Sequence, residues 1–122
     1  MQPKQTALAY VDAVSRKDFA ALSALLAPDL SFKGPSRSTT SAEQYLAALR
    51  RLGPILVRSD LKQAVAEGAD VCVVYDFVTS TPAGAVTMME ALRVEDGKIA
   101  SVQLMYDRVA WKPAQDALAK GA

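Results

Sequence analysis

A chain of 122 residues is long enough for one domain with a single hydrophobic core. Hydrophobic residues make up 51% of it and charged residues 22%, and a net charge of +1 gives no reason to expect nucleic acid or an anionic membrane as a partner. The sequence has no histidine and only Cys72, which excludes Ser-His-Asp and Cys-His catalysis, His-ligated zinc and an intrachain disulfide.

Apolar residues recur at helical spacing near the start of the chain and predict two helices there. The first covers residues 6–16 and places Tyr10 on its apolar stripe. The second covers residues 19–27 and begins after the capping residue Asp18. Residues 29–33 predict a short strand, which a polar loop follows.

A capping pattern marks the start of a third helix, over residues 41–52. Ser41 stands three residues before Gln44, which is typical of a capping box. Gly53 and Pro54 end this helix, because proline cannot continue it. The apolar residues expected to face inward are Tyr45, Leu46, Leu49 and Leu52.

The second half of the chain has the pattern of successive strands. These are predicted at residues 55–66, 71–80, 85–95 and 98–107. Short turns such as Asp96-Gly97 connect them, and short turns make neighbouring strands antiparallel. The Ala-rich tail from Lys112 contains Pro113 and is expected to fray.

Three N-terminal helices followed by an antiparallel meander predict an α+β fold for a single domain over residues 1–122. We expect the sheet to curve strongly around the helices and to form a cone-shaped pocket. Such an apolar interior suits a small apolar or aromatic ligand.

No segment of the sequence indicates a membrane, an export signal or a cofactor. Apolar runs stay well short of the roughly 18–20 residues of a membrane span. The first residues lack the apolar core of a signal peptide, so we expect a cytoplasmic protein. The sequence also lacks a Gly-rich phosphate loop and a cluster of metal ligands, so we expect no cofactor and no metal.

Glu90 is the main candidate functional residue because it interrupts an apolar strand face. At period two it shares that face with Val86, Met88, Leu92 and Val94. A carboxylate on such a face is costly unless it is paired, hydrogen-bonded or used in function. One interpretation is a pocket acid whose pKa is raised by burial. The alternatives are pairing with Arg or Lys, and outward placement by a bulge.

Three pieces of the sequence, in this order, resemble one known superfamily. They are residues 9–29, from Ala9-Tyr-Val-Asp-Ala-Val to Leu-Leu-Ala-Pro-Asp29, then Glu-Asp-Gly-Lys-Ile99, and the ending Tyr106-Asp107. They are similar to the nuclear transport factor 2-like group, also called cystatin-like α+β barrels, over nearly the whole chain. This group includes SnoaL-type polyketide cyclases, ketosteroid isomerases and limonene epoxide hydrolases. The resemblance also implies a homodimer, in which two sheets pair back to back.

The resemblance implies roles for a few residues. In ketosteroid isomerases a first-helix Tyr and a protonated strand Asp form an oxyanion hole, and these positions fall at Tyr10 and Glu90. The isomerase base falls near Gly34, which cannot accept a proton. The two acids of the epoxide hydrolases match Glu90 and Asp107, but the position of their arginine is occupied by Met88 in this sequence. In the polyketide cyclases a late-strand Asp is the general acid/base, and Asp107 matches it best.

Each candidate also has a structural alternative. Asp107 would then cap a turn or strand end, or pair with Arg108, and Tyr10 would be a core aromatic residue with a nearby hydroxyl partner. The residues expected to bind the ligand, with core or dimer contacts as the alternative, are Met88, Leu92, Met105 and Tyr45.

The predicted function is that of a SnoaL-like, cofactor-free isomerase, cyclase or lyase that acts on a small apolar carbonyl compound. Glu90 or Asp107 would move a proton next to the carbonyl, and Tyr10 would stabilise the developing enolate by a hydrogen bond. One alternative is a non-catalytic binding module with Glu90 and Tyr10 as polar anchors. The other is a dimerisation or protein-partner scaffold with a collapsed pocket.

Overall fold

Six strands form one sheet with four helices in the computed structural model of the protein, which describes residues 1–121. The elements in chain order are α1 (Pro3–Ser15), α2 (Phe19–Ala24), β1 (Leu26–Lys33), β2 (Ser38–Thr39), α3 (Ala42–Leu52), β3 (Leu56–Glu67), β4 (Asp70–Thr79), β5 (Ala85–Glu95), β6 (Lys98–Tyr106) and α4 (Arg108–Ala119). The strands lie in the order β2-β1-β6-β5-β4-β3, in a strongly curved sheet that does not close. The predicted α+β class is confirmed.

The sheet is mixed, which corrects the prediction of a purely antiparallel one. Strands β3 to β6 form the predicted antiparallel meander. Strand β1, however, runs parallel to β6 and pairs Phe32 with Val102. No hairpin fixes the relative direction of these two strands, because most of the chain lies between them. Between β5 and β6, Asp96 (φ 51°) and Gly97 (φ 74°) adopt the left-handed conformations that a two-residue turn requires.

The helix prediction needs two corrections. Two of the four helices, not three, form the N-terminal group, because α3 follows β1, the strand predicted at residues 29–33, and also follows β2. Most of the segment predicted to fray, from Lys112 to Ala119, instead belongs to α4, which begins after the capping residue Asp107 and buries Trp111 and Ala114, while Ala122 lies outside the described residues. Pro113 lies inside this helix, where it removes one backbone hydrogen bond, so the sequence indicated a break rather than a helix.

Side-chain caps fix the starts of two helices as predicted. The carboxylate of Asp18 accepts a hydrogen bond from the backbone nitrogen of Ala21 at 3.0 Å and caps α2. The hydroxyl of Ser41 accepts one from the backbone nitrogen of Gln44 at 3.2 Å and caps α3. Each bond satisfies a backbone donor that the helix itself cannot satisfy.

Period-two alternation gives the sheet an inner face and an outer face. On β5 the buried, inner residues are Val86, Met88, Glu90, Leu92 and Val94. The residues between them are exposed on the outer face, and α1 packs on the inner face of β3, β4, β5 and β6. Within residues 1–121, no helix is both long and apolar enough to cross a membrane. The cytoplasmic location stays a prediction.

Candidate functional site

A cavity of about 570 Å³ lies between the inner face of the sheet and helices α1, α3 and α4. Its volume falls within the range of about 300–1,000 Å³ that is common for small-molecule sites. Much of its wall is apolar, with contributions from Phe32, Leu49, Phe77, Leu104, Trp111 and Leu118. The charged groups in the wall are the carboxyl of Glu90 and the guanidinium groups of Arg37 and Arg51, and neutral polar groups are contributed by residues such as Gln115.

Glu90 is 4% exposed and is held by hydroxyl groups rather than by a cation. Its Oε1 accepts a hydrogen bond from the hydroxyl of Tyr10 at 2.7 Å, and its Oε2 accepts one from the hydroxyl of Tyr75. Among residues 1–121, no Lys or Arg nitrogen lies within 4.0 Å of this carboxyl. The alternatives of an ion pair and of an outward bulge are therefore wrong for Glu90.

Three tyrosines and Glu90 form one hydrogen-bonded group, here called the Glu90 cluster. Besides Tyr10 of α1 and Tyr75 of β4, it includes Tyr45 of α3, whose hydroxyl hydrogen-bonds that of Tyr10. The hydroxyl of Tyr75 also lies 3.8 Å from the sulfur of Met88. Because its members come from two helices and two strands, the cluster exists only when α1 and α3 are docked on the sheet.

Burial shifts the pKa of every member of the Glu90 cluster. It raises the pKa of the Glu90 carboxyl, because the charged form loses water, while hydrogen bonds from Tyr75 and Tyr10 partly offset this rise. Burial, together with the nearby Glu90 charge, raises the pKa of Tyr10, Tyr45 and Tyr75 well above the ordinary value of 10.0. The hydroxyls therefore stay protonated near neutral pH, and Glu90 is the member that exchanges a proton.

The number of protons in the Glu90 cluster decides whether it can donate a hydrogen bond to a ligand. Three contacts join its four groups: Tyr45 to Tyr10, Tyr10 to Glu90, and Tyr75 to Glu90. When Glu90 is ionised, the three hydroxyl protons occupy these three contacts. When Glu90 is neutral, the cluster holds a fourth proton, and one donor becomes available to the cavity. The protonation state of Glu90 therefore switches the cluster between acceptor and donor.

Four of the predicted site residues line the cavity, namely Tyr10, Tyr45, Met88 and Glu90. Leu92 is buried on the same face, but in the core outside the cavity wall. Met105 is 46% exposed on the outer face, because its neighbours Leu104 and Tyr106 face the cavity. Asp107 is exposed and caps α4, accepting hydrogen bonds from the first backbone nitrogens of that helix.

Tyr75 and Trp111 line the cavity although the sequence had not assigned them to it. Tyr75 lies two residues before the buried Phe77 on β4 and pairs with Met88 on β5. The alternation on β4 indicates that Tyr75 faces inward, but only the register of β4 and β5 places it beside Glu90. Trp111 packs edge-on against Phe77 with ring centroids 5.4 Å apart, but its position depends on α4.

The outer face of the sheet carries a set of exposed apolar side chains. They are Val65, Met89 and Met105. A depression of about 550 Å³ adjoins them at Val65 and also includes Cys72, which is half-buried. Across residues 1–121, no three Cys, Asp or Glu side chains converge in a group that could hold a metal ion.

The curved sheet and the inner cavity with its buried carboxyl define a class of small α+β proteins that enclose an interior pocket. The model of the SnoaL-like domain family matches residues 7–102, and the chain belongs to this family. The predicted relationship to SnoaL-like proteins is thereby confirmed, and the fold is shared with solved nuclear transport factor 2-like structures.

Solved structures with the same fold come from several bacteria. A protein from Kribbella flavida is 26% identical, with a TM-score of 0.85 and 96% of each chain covered. An NTF2-like protein from Cytophaga hutchinsonii is 20% identical, with a TM-score of 0.79 and coverage of 94% of this chain and 96% of that one. An epoxide hydrolase from M. tuberculosis is 18% identical, with a TM-score of 0.77 and coverage of 98% and 96%. None of the curated proteins matches the chain.

Proposed function

We propose that the chain binds a small, largely apolar carbonyl compound in its inner cavity, the interior of the predicted cone, and moves a proton on it without a cofactor. The observation that carries this proposal is the buried carboxyl of Glu90, held by two tyrosine hydroxyls at the cavity wall. Burial moves its pKa towards neutrality, which suits a group that both takes and returns protons.

In the proposed reaction, ionised Glu90 takes a proton from a carbon next to the substrate carbonyl, and the electron pair of that C–H bond moves into an enolate. The Glu90 cluster then holds its fourth proton and donates a hydrogen bond to the enolate oxygen. Return of the proton to a different carbon gives an isomer and restores ionised Glu90. Tyr45 and Tyr75 stand at the ends of the cluster and would present the donor, whereas Tyr10 relays it from between Tyr45 and Glu90.

A non-catalytic binding module is the second candidate function. Among the described residues, Glu90 is the only carboxyl that lines the cavity, and Gly34 lies in the wall where the resemblance places the isomerase base. A binding module would use the Glu90 cluster as a polar anchor and leave the ligand unchanged. The scaffold alternative requires a collapsed pocket, and a cavity of about 570 Å³ argues against it.

We further propose that two copies of the chain pair through the outer face of the sheet. The support is the row of exposed apolar side chains there, which includes Val65, Met89 and Met105. Several large apolar side chains exposed on one sheet face are typical of an interface. A homodimer would leave the cavity free, because the cavity lies on the opposite face of the sheet.

Hydrogen–deuterium exchange on a panel of apolar ketones tests the proposed reaction. In D₂O, proton transfer at the carbon next to the carbonyl replaces hydrogen by deuterium, and proton NMR detects this whatever the product is. We expect the protein to accelerate exchange on at least one ketone and Glu90→Gln to abolish the acceleration. The control Asp107→Asn should keep it, because Asn also caps helices.

Two other outcomes would decide against proton transfer by Glu90. A ketone that perturbs the NMR signals of Tyr45 and Tyr75 but never exchanges would support the binding module. Equal acceleration by the native protein and by Glu90→Gln would reject the role of Glu90 while leaving the cavity as the binding site.

A further inference from the structure

The opening of the cavity is positively charged. Arg37, in the loop between β1 and β2, and Arg51, in the last turn of α3, both line the cavity and are both exposed. Exposed side chains on a cavity wall lie where the cavity meets solvent, so the two guanidinium groups are at its opening. Glu90, the only carboxyl in the described part of the lining, is buried away from that opening.

Neither arginine is paired within the described chain. Among residues 1–121, no carboxylate oxygen lies within 4.0 Å of Arg37 or Arg51. The adjacent Arg50 differs, because its guanidinium lies 5.3 Å from the centre of the Phe19 ring and outside the cavity lining. A single arginine at a helix end is usually explained by the helix dipole. Two exposed arginines in the lining of one cavity, with no carboxylate oxygen among residues 1–121 within 4.0 Å of either, favour an anionic ligand group on that side of the cavity.

The backbone holds Arg37 at this opening. The backbone nitrogen of Gly34 donates a 2.8 Å hydrogen bond to the carbonyl oxygen of Arg37, which closes the loop, and residues 34–37 all line the cavity. A Cβ atom at Gly34 would come within 3.0 Å of the Phe32 ring. Glycine at position 34 therefore permits the tight loop that brings Arg37 to the cavity, because a side chain at this position would crowd the ring of Phe32 in the cavity wall.

Building on the proposed function, we infer that the substrate carries an anionic oxygen group, such as a carboxylate, at the end opposite its carbonyl. The anion would lie between Arg37 and Arg51, whose planar guanidinium groups match the geometry of a carboxylate. The apolar body would contact Phe77 and Leu104, and the carbonyl oxygen would reach the Glu90 cluster. Opposite polar groups at the two ends of an apolar cavity also fix the direction in which the molecule binds.

A matched pair of probes tests this inference. One is naphthol, whose hydroxyl mimics the enol, and the other is a hydroxynaphthoic acid with its two groups at opposite ends of the ring system. We expect the acid to bind about tenfold more tightly than naphthol at low salt, as measured by calorimetry. Arg37→Gln and Arg51→Gln should each reduce this preference, and the double variant should abolish it while naphthol binding stays unchanged.

The neighbouring variant Arg50→Gln is the matched control and should keep the full preference, because Arg50 does not line the cavity. Equal affinities for the two probes, or a preference that survives the double variant, would overturn the inference and leave the proposed function intact. Failure of both probes to bind would instead reject the cavity as the ligand site, and with it both proposals. A preference lost in Arg50→Gln as well would show that net charge, not the cavity opening, attracts the acid.

Discussion

The hydroxyl of Tyr10 lies 2.7 Å from the carboxyl of Glu90, although 80 residues separate the two in sequence. This hydrogen bond joins α1 to the inner face of β5 and at the same time opposes the effect of burial on the pKa of Glu90. One interaction therefore contributes both to the docking of the first helix and to the tuning of the candidate catalytic acid. Changes to the tyrosines should appear both in stability and in titration.

Tyr75→Phe should raise the pKa of Glu90 further above its ordinary value. The hydrogen bond from Tyr75 favours the charged carboxylate and lowers its pKa, so its removal leaves the effect of burial less opposed. Carbon-13 NMR titration measures this pKa, and Glu90→Gln assigns the signal. Tyr106→Phe is the control, since Tyr106 lines the same cavity but makes no hydrogen bond to Glu90 within the described chain. An unchanged or lower pKa in Tyr75→Phe would contradict the assignment.

Stability should fall as the pH rises through the folded-state pKa of Glu90. Burial raises that pKa above the ordinary value of 4.5, so the folded protein holds the proton more tightly than the unfolded chain does. The stabilisation from Glu90 is complete at a pH below its pKa in the unfolded chain, and it is lost as the pH rises through its pKa in the folded protein. The loss is about 1.4 kcal/mol for each unit by which the two pKa values differ. Denaturant unfolding at a series of pH values should show this fall in the free energy of unfolding for the native protein and for Asp107→Asn, but not for Glu90→Gln. If the free energy of unfolding varied with pH in the same way for the native protein and for Glu90→Gln, the prediction would be wrong.

Asp107→Ala should lower the free energy of unfolding by about 1 kcal/mol, because Asp107 caps α4 through the backbone nitrogen of Val109 at 2.8 Å. Asp107→Asn should cost much less, since Asn also accepts that hydrogen bond. Chemical denaturation distinguishes the two variants, and NMR titration should find the pKa of Glu90 unchanged in both. Equal destabilisation by both variants would show that the negative charge, not the cap, is what matters.

Met89→Glu should convert the proposed homodimer into a monomer. Met89 and its partner Met105 in the strand register both lie on the outer face, where a carboxylate would be buried without a partner. Sedimentation analysis measures the change in mass. Val109→Glu introduces the same charge at a position on α4 that is 83% exposed and should leave the dimer intact. A native protein that sediments as a monomer at micromolar concentration would remove the proposal altogether.

Local sequence pattern was enough to predict the parts of the fold that depend on near neighbours. The alternation on β5 placed Glu90 on the buried face, and the Asp96-Gly97 turn joined two strands that do pair. The caps at Asp18 and Ser41 were likewise visible, because a capping residue and its backbone partner lie only three residues apart. Each of these features is decided within a few residues of the chain.

Features that depend on distant pairing could not be predicted in this way. The contact of Tyr75 with Glu90 requires the register of β4 and β5, and the outward position of Met105 requires that of β5 and β6. The place of Arg37 at the cavity opening depends on a loop closed by Gly34. Helix α4 was hidden by Pro113, since packing of its apolar side outweighs the lost hydrogen bond in a way that local propensity does not show.

The parallel pairing of β1 with β6 also determines when the chain can fold during its synthesis. Phe32 is synthesised 70 residues before its partner Val102, which lies on the strand that also brings Leu104 to the cavity wall. The first two helices therefore emerge with apolar surfaces that nothing yet covers. Completion of the sheet must wait for the last strand, so a nascent chain released before β6 would expose those surfaces and be prone to aggregate.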